Sequence, residues 1–266
     1  MSEVFVTPTE VANDAVEALL RAEREGRAIE PLSVTRSLKL QEAYEIQQSI
    51  IDRKLASDPR ERWLGLKAGL TSRAKQKMVN IDEPILGQLL ASNVIVGDEL
   101  HLDGLIQPRV EPEVAFHFAR EVVGYETSEE EISSAIDHAF PALEILDSRF
   151  EQYKFRIEDV VADNASTSRV LLSEMTFPAE RGGLSRMQVS VSINGEVREA
   201  GTTDAVLGHP LASALWVTQK WARLGKTIPA GSILLTGGIT TAIPVSPGDE
   251  VVGRFEGWGE LHLRCV

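Results

Sequence analysis

Cysteine is almost absent from this chain. Of its 266 residues only Cys265, next to the last, is a cysteine. An intrachain disulfide is therefore excluded, and this cysteine usage is typical of proteins of the reducing cytoplasm. The neighbours of Cys265 do not resemble a reactive site, so we do not expect a catalytic thiol.

Long apolar runs and positive charge are also scarce. The sequence has no run of about 18 apolar residues, so we expect no membrane span, and residues 1–20 lack the basic start and apolar stretch of a signal peptide. Lysine and arginine number 27 against 40 aspartate and glutamate residues, a formal net charge of −13. That charge disfavours nucleic acid and anionic membranes as partners. It leaves room for a small anionic substrate, since a metal ion or a local lysine can reverse the sign inside a pocket.

Several motifs of well-characterised sites are missing as well. The sequence has no GxGxxG opening a helix, no GxxxxGK[ST], no GxSxG, no HExxH and no paired cysteines. These absences argue against a dinucleotide fold, a P-loop, a serine hydrolase of the nucleophile-elbow type and a zinc peptidase.

Hydrophobic spacing divides the chain into a helical start and a β-rich body. Helical periodicity covers residues from about 8 to 60 and returns at 128–140 and 210–225. From residue 64 onward, glycine and proline separate short apolar runs, which is typical of strands and turns. Asn194-Gly195, between alternating residues, predicts a β-hairpin.

This order of elements predicts an α+β fold. We expect a helical region over residues 1–75 that packs on a β-rich catalytic core over residues 76–266, the two forming one compact unit. The composition, 43% hydrophobic and 25% charged, is that of a globular protein able to bury a core. Strands and helices do not alternate one by one, which disfavours a doubly wound fold.

The segment 109-RVEPEVAFHF-118 places two carboxylates on one face of a strand. With a period of two, Glu111 and Glu113 lie opposite the apolar residues. Residues two apart on a strand are roughly 7 Å apart, so both carboxylates can bind one hard divalent cation. The alternative is a strand face open to water, because neighbouring carboxylates are costly to bury without a cation. Pro112 is compatible with an edge strand or a bulge.

A third carboxylate is expected from 141-PALEILDSRF-150. Glu144 is flanked by Leu143 and Ile145, so it points away from the apolar side of its strand. His117 shares the acidic face of its own segment and is a candidate fourth ligand, although a histidine in such a place is more often packed or at the surface.

Two other segments carry unusual residues. In 64-LGLKAGLTS-72, Lys67 stands among small and apolar residues, where it either reaches out to solvent or meets an anion. In 234-LLTGGITTAIPVSPGDEV-251, Thr236-Gly237-Gly238 follows an apolar run, and glycines allow the backbone to approach a ligand closely. The polar run 161–170 is either a loop around a substrate or a plain turn. Together these residues indicate a metal site of carboxylates with one lysine, suited to an anionic oxo-acid.

Six segments in this order resemble the hydratase/decarboxylase branch of the fumarylacetoacetate hydrolase superfamily. The resemblance runs from about residue 10 to the end of the chain. The segments are GLKAGLTS (65–72), QPRVEPEVAF (107–116), ALEILDSRF (142–150), VVADNASTSR (160–169), AVLGHPLASALW (205–216) and LLTGGITTAIPVSPGD (234–249). Each piece alone is weak, and their joint occurrence in this order is highly specific.

The resemblance implies a fold and a set of site residues. The fold is a mixed β-sandwich or roll with an added N-terminal helical region. The metal is Mg²⁺ or Mn²⁺, held by Glu111, Glu113 and Glu144, and no organic cofactor is needed. Further pocket residues follow by match of segment: Lys67, Asp82 and Ser166 as catalytic candidates, and Lys67, Leu70, Ser166, Thr236 and Gly237 as substrate-binding candidates.

The resemblance also implies an activity. This is a lyase reaction of the meta-cleavage catabolism of aromatic compounds, the removal of CO₂ from 2-oxohex-3-enedioate to give 2-hydroxypenta-2,4-dienoate. Segments 147–169 and 236–249 favour this reaction. The alternatives are hydration of 2-hydroxypenta-2,4-dienoate on the same scaffold, a C–C hydrolase of acylpyruvates with His117 or His138 as base, and a non-catalytic partner subunit. The implied partners are a small anionic dicarboxylate, further copies of the chain and the vinylpyruvate hydratase of the pathway.

Overall fold

The computed structural model describes residues 10–78, 81, 83–179 and 181–266. The helices are α1 (Glu10–Glu25), α2 (Leu32–Thr35), α3 (Leu40–Ser57), α4 (Arg73–Met78), α5 (Glu129–Ala135), α6 (Ile157–Ala162), α7 (Arg181–Leu184) and α8 (Pro210–Arg223). The strands are β1 (Trp63–Gly69), β2 (Ile85–Leu90), β3 (Glu99–Leu100), β4 (Arg109–Phe118), β5 (Ile136–Leu146), β6 (Thr167–Leu172), β7 (Gln188–Ile193), β8 (Glu196–Thr202), β9 (Ile233–Leu235), β10 (Ile243–Pro244), β11 (Glu250–Phe255) and β12 (Gly259–Cys265).

The N-terminal helices lie on the body through their apolar faces. Val16 and Leu19 of α1 are buried, as are Ile46 and Ile50 of α3, and these residues belong to the main hydrophobic core. Residues three and four apart share one helix face, so this spacing is what gives each helix a buried side. The predicted helical region is thus confirmed, with breaks after α1 and α2.

The larger sheet carries the strands singled out in the sequence. Its strand order is β2-β1-β9-β4-β5-β6, and β10 pairs with β4. β1 and β9 are parallel, whereas β4 and β5 are antiparallel over ten register pairs. Because β1 lies inside this sheet, the strand of Lys67 and the strand of Glu111 and Glu113 face the same neighbour, β9.

A second sheet packs against the first. Its order is β3-β12-β11-β7-β8, and the β7–β8 hairpin turns at Asn194 and Gly195, whose φ values are 54° and 80°. The two sheets meet closely: a Cβ added at Gly253 of β11 would lie 2.7 Å from Cδ2 of Leu143 on β5. The mixed β-sandwich and the hairpin predicted from the sequence are confirmed.

The helix predicted over 128–140 is wrong in its second half. Ser128 caps α5, accepting a hydrogen bond from the Glu131 backbone N–H at 3.2 Å, but the helix ends at Ala135. Residues from Ile136 onward form β5, whose register partners are the residues of β4. Pairing in the sheet satisfies the backbone of this stretch, and tertiary contacts of that kind override local helix propensity.

The helix predicted over 210–225 is confirmed as α8, with Pro210 in its first turn and Gly225 following its end at a φ of 78°. Across the part of the chain that the structure describes, no helix has the length and apolar character needed to cross a membrane. The division of the chain at residue 75 stays a prediction.

Candidate metal centre

Pairing of β4 with β5 brings three glutamates together. Glu111 and Glu144 are direct register partners, and Glu113 lies two residues further along β4 on the same face. One carboxylate oxygen from each lies within 4.8 Å of the other two. Glu111 is 6% exposed, and Glu113 and Glu144 are each 0% exposed. The interpretation of this face as a solvated surface is therefore wrong, and the predicted clustering of the three carboxylates is observed.

Pro112 occupies a local edge within this central strand. On one side it pairs with Leu143 of β5. On the other side, β9 pairs only with residues 115–117 of β4 and β10 only with residues 109 and 110. Pro112 thus lies in the gap between two short strands, where a missing N–H interrupts no ladder, and its carbonyl accepts a hydrogen bond from Ile239 N at 3.0 Å.

Lys67 and a backbone amide hold two of the carboxylates. Lys67 Nζ donates to Glu144 Oε1 at 2.7 Å, and the side chains of this pair are 2% and 1% exposed. Gly237 N donates to Glu113 Oε2 at 2.7 Å. The sequence left open whether Lys67 reaches solvent or meets an anion; it is buried on a carboxylate.

Three buried oxygens at this place lack a hydrogen-bond partner among the described residues. They are Thr71 Oγ1, Glu113 Oε1 and Glu144 Oε2. A buried oxygen without a partner costs about 1–3 kcal/mol, and more when it is charged. Two of these atoms are carboxylate oxygens, so a bound cation is the partner that suits them.

The acidity of the carboxyls supports the same conclusion. Burial, and then repulsion from Glu144 and Glu111, raises the pKa of Glu113 well above its usual value, against the opposing charge of Lys67. Burial also raises the pKa of Glu144, which Lys67 partly offsets. Neighbouring carboxylates repel one another when all are ionised, and a bound divalent ion removes that repulsion. A set of oxygen ligands suits Mg²⁺ or Mn²⁺. The residues present therefore fit such a metal.

Two glycines of the loop after β9, Gly237 and Gly238, lie directly against side chains of the site. A Cβ at Gly238 would lie 2.1 Å from Glu111 Oε2, and a Cβ at Gly237 would lie 2.3 Å from Thr71 Oγ1. No larger residue fits these approaches without moving a site atom. The Thr236 hydroxyl donates to Val114 O at 2.9 Å, and Thr236 O accepts from Ser213 Oγ of α8 at 2.6 Å, so Thr236 anchors the loop on both sides.

The other predicted pocket residues lie around the strand of Lys67. Leu70 follows β1 with a φ of 56°, and Ser166 has a φ of 57°. The Ser166 hydroxyl donates to Asp163 Oδ2 at 3.3 Å, within a buried group that includes the Arg149–Asp163 ion pair. Asp82 lies outside the described residues.

His117 is not part of the glutamate cluster, so the idea of a fourth ligand is wrong. It groups instead with Asp137 and His138. It lies four positions after Glu113 on β4, about 13 Å away at the usual rise per residue. Sequence reasoning in turn missed Thr71, which stands in the same segment as Lys67 and Leu70.

Comparisons with known proteins found a matching family and similar chains. The sequence model described as fumarylacetoacetate (FAA) hydrolase C-terminal matches residues 66–266. A 4-oxalocrotonate decarboxylase of Pseudomonas putida is 38% identical over 226 residues, which is 85% of each chain. A 2-keto-4-pentenoate hydratase of Paraburkholderia xenovorans is 32% identical over 254 residues, 94% of this chain and 93% of that one.

A solved structure is similar over the whole chain. It is the 4-oxalocrotonate decarboxylase from Pseudomonas putida G7, complexed with magnesium and adipate. The superposition has a TM-score of 0.91 at 33% sequence identity, and it covers 99% of this chain and 100% of the other.

Proposed function

Because the chain belongs to the fumarylacetoacetate hydrolase family, we propose that it is a metal-dependent lyase that decarboxylates 4-oxalocrotonate. The products are CO₂ and 2-hydroxypenta-2,4-dienoate. The observation that carries the proposal is the buried cluster of Glu111, Glu113 and Glu144 in contact with Lys67. Two 4-oxalocrotonate decarboxylases are 38% identical to this chain, against 34% and 32% for two 2-keto-4-pentenoate hydratases, which supports this reaction over its alternative.

The substrate supplies its own electron sink. Its name in full is 2-oxohex-3-enedioate, so a 2-oxo group is conjugated with the alkene. When the carboxylate at carbon 6 leaves as CO₂, its bonding electron pair moves through carbons 5, 4 and 3 towards the 2-oxo oxygen. A proton taken up by that oxygen completes 2-hydroxypenta-2,4-dienoate. No organic cofactor enters this balance.

Glu111, Glu113 and Glu144 are the residues that would hold Mg²⁺ or Mn²⁺. When bound, the ion acts as a Lewis acid that polarises the 2-oxo group and stabilises the negative charge that develops on it. The adipate bound with magnesium in the Pseudomonas putida G7 structure is a six-carbon dicarboxylate, the size and charge of the proposed substrate. That similarity supports a dicarboxylate pocket beside the metal.

Lys67 supplies a fixed positive charge. Its ammonium group is buried and held by Glu144 at 2.7 Å, so it needs no reorganisation as charge develops, and a dry site strengthens its effect. We assign it two tasks: to orient the Glu144 carboxylate and to offset the negative charge of the bound dicarboxylate.

The remaining pocket residues are proposed from the loops around this centre. Gly237, with its amide on Glu113, and Thr236, with its loop anchored to β4, would border the substrate. Leu70 and Ser166 would border it from the side of β1, next to Lys67. Asp82 stays a catalytic candidate on the basis of its segment alone.

One pair of assays tests the reaction. Purified protein with Mg²⁺ is supplied with 2-oxohex-3-enedioate, and CO₂ release is measured; in parallel, 2-hydroxypenta-2,4-dienoate is supplied, and loss of its conjugated absorbance is measured. We expect CO₂ release in the first assay. Hydration in the second without CO₂ release in the first would establish the hydratase alternative, which the 32% identity with a 2-keto-4-pentenoate hydratase keeps open.

We also propose that the chain assembles with copies of itself and associates with the hydratase that would use its product. Light scattering of the isolated chain, and of the chain mixed with a 2-keto-4-pentenoate hydratase, tests both associations. A monomeric mass in both measurements would contradict them.

A further inference from the structure

A second group of metal-ligating side chains lies at the other end of the same strand pair. His117 on β4 and His138 on β5 are register partners, and Asp137 precedes His138. One ring nitrogen of each histidine and one oxygen of Asp137 lie within 4.8 Å of one another. The reaction proposed for the glutamate centre uses none of these three residues.

A β-bulge explains how Asp137 reaches both histidines. His117 pairs with His138, whereas the next residue, Phe118, pairs with Ile136. Asp137 is thus the extra residue on β5, without a register partner on β4. In a regular strand, Asp137 and His138 would point to opposite faces. A bulge re-aims such a side chain, and here it turns the Asp137 carboxylate towards the face that carries the two imidazoles.

The three side chains converge on one point. His117 Nδ1 lies 2.7 Å from Asp137 Oδ1, and His138 Nδ1 lies 2.9 Å from the same oxygen. The two rings stack at a centroid distance of 4.7 Å and an angle of 14°. Both histidines therefore direct the same ring nitrogen to one carboxylate.

We propose that His117, Asp137 and His138 form a second metal site, which binds Zn²⁺ or a divalent ion with similar ligand preferences. Two imidazoles and one carboxylate are the ligands that Zn²⁺, Ni²⁺ and Co²⁺ favour, whereas Mg²⁺ favours the all-oxygen set of the glutamates. With metal–nitrogen bonds of about 2.0–2.1 Å, tetrahedral ligand atoms are about 3.3 Å apart, so the two nitrogen–oxygen distances of 2.7 and 2.9 Å need only a small expansion.

The site would be open on one side. The side chains of His117, His138 and Asp137 are 29%, 30% and 45% exposed, so an ion held by them keeps further positions for water or for a solvent-borne ligand. The ion would also tie β4 to β5 at the end opposite the glutamates.

Zinc binding to untagged, metal-stripped protein in excess Mg²⁺ tests the proposal. Because Zn²⁺ can also compete for carboxylates, the titration is run in the Glu113→Gln background as well as in wild type. We expect one equivalent of Zn²⁺ that persists in Glu113→Gln. His117→Ala and His138→Ala should each weaken it at least about 10–100-fold, the loss known when only an outer partner of a ligand is removed.

His262→Ala is the matched control. His262 is an exposed histidine with one carboxylate partner, Glu260, at 3.3 Å, and its removal should leave zinc binding unchanged. Crystals soaked in Zn²⁺ should show an anomalous peak between His117, Asp137 and His138. Zinc binding that is unaffected by His117→Ala and His138→Ala, or no bound equivalent in the Glu113→Gln background, would overturn the proposal, and circular dichroism of each variant checks that it is folded.

Discussion

Replacing Lys67 by methionine tests how far the glutamate centre depends on a buried positive charge. Methionine keeps most of the side-chain length but removes the ammonium group that donates to Glu144 at 2.7 Å. Both side chains are almost fully buried, so an ionised Glu144 would be left without its cation. Removing one partner of a buried pair costs about 3–5 kcal/mol of unfolding free energy. We expect a loss of that size for Lys67→Met in buffer with a chelator, measured by urea unfolding.

Lys220→Met is the matched control for this variant. The Lys220–Glu83 pair has the same 2.7 Å separation, but its side chains are 16% and 38% exposed, so we expect a loss of at most about 1 kcal/mol. Equal losses for the two variants would refute the reasoning.

The loss for Lys67→Met should also depend on pH. Lys67 lowers the pKa of Glu144, so without it Glu144 takes up a proton more readily, and protonation relieves the unpaired charge. The destabilisation should therefore grow from about pH 5 to about pH 8. With Mg²⁺ present, kcat/KM should fall about 10²–10³-fold, the usual effect of losing one preorganised electrostatic group, while Lys220→Met keeps wild-type activity.

Three further predictions concern the carboxylates and the loop that covers them. First, metal-free wild type should lose stability as pH rises above about 4.3, by at most about 1.4 kcal/mol per pH unit for each titrating group. The raised pKa of Glu113 means that its folded form holds a proton which the unfolded chain has already released; urea unfolding across pH measures this, and a flat profile would contradict it. Second, Glu113→Gln should unfold at a higher temperature than wild type in chelator, by about 2–4 °C per kcal/mol gained, yet lose Mg²⁺-dependent turnover; calorimetry without Mg²⁺ and activity with it are the two readouts, and an active variant would exclude Glu113 as a ligand. Third, Gly238→Ala should lower kcat/KM by about 10²-fold, because its Cβ would lie 2.1 Å from Glu111 Oε2 and small displacements of site groups are costly. Gly183→Ala, where a Cβ meets nothing within 4 Å, is the control, and similar activities of these two variants would contradict the close approach.

The alternation of apolar and polar residues along single strands was enough to predict which face each glutamate side chain occupies. Alternation along β4 gave the shared face of Glu111 and Glu113, and the apolar neighbours of Glu144 gave its direction. Alternation does not set register, so it could not show that Glu111 stands opposite Glu144 or that Lys67 on β1 reaches Glu144 on β5. The prediction that the helix continues over residues 136–140 was wrong for the same reason, since those residues form a strand only because β4 pairs with them.

The cluster of His117, Asp137 and His138 could not be predicted from the sequence, for a related reason. His117 and His138 meet through long-range register, and Asp137 joins them through a one-residue bulge. A bulge depends on the partner strand and leaves no fixed mark in the sequence. Thr71, by contrast, stood in a segment already singled out, and it was missed only because a threonine among apolar residues is common.

The three-residue strand β9 has a consequence for how the centre comes into being. In the sheet order, β9 separates β2-β1 from β4-β5-β6, and Leu235 is in register both with Lys67 and with Ala115. The lysine and the glutamates therefore sit on two β units that become one sheet only when residues 233–235 insert between them. Pairings between such distant parts of a chain form slowly, so we expect the carboxylates of β4 and β5 to meet their cationic partner in a slow step of folding.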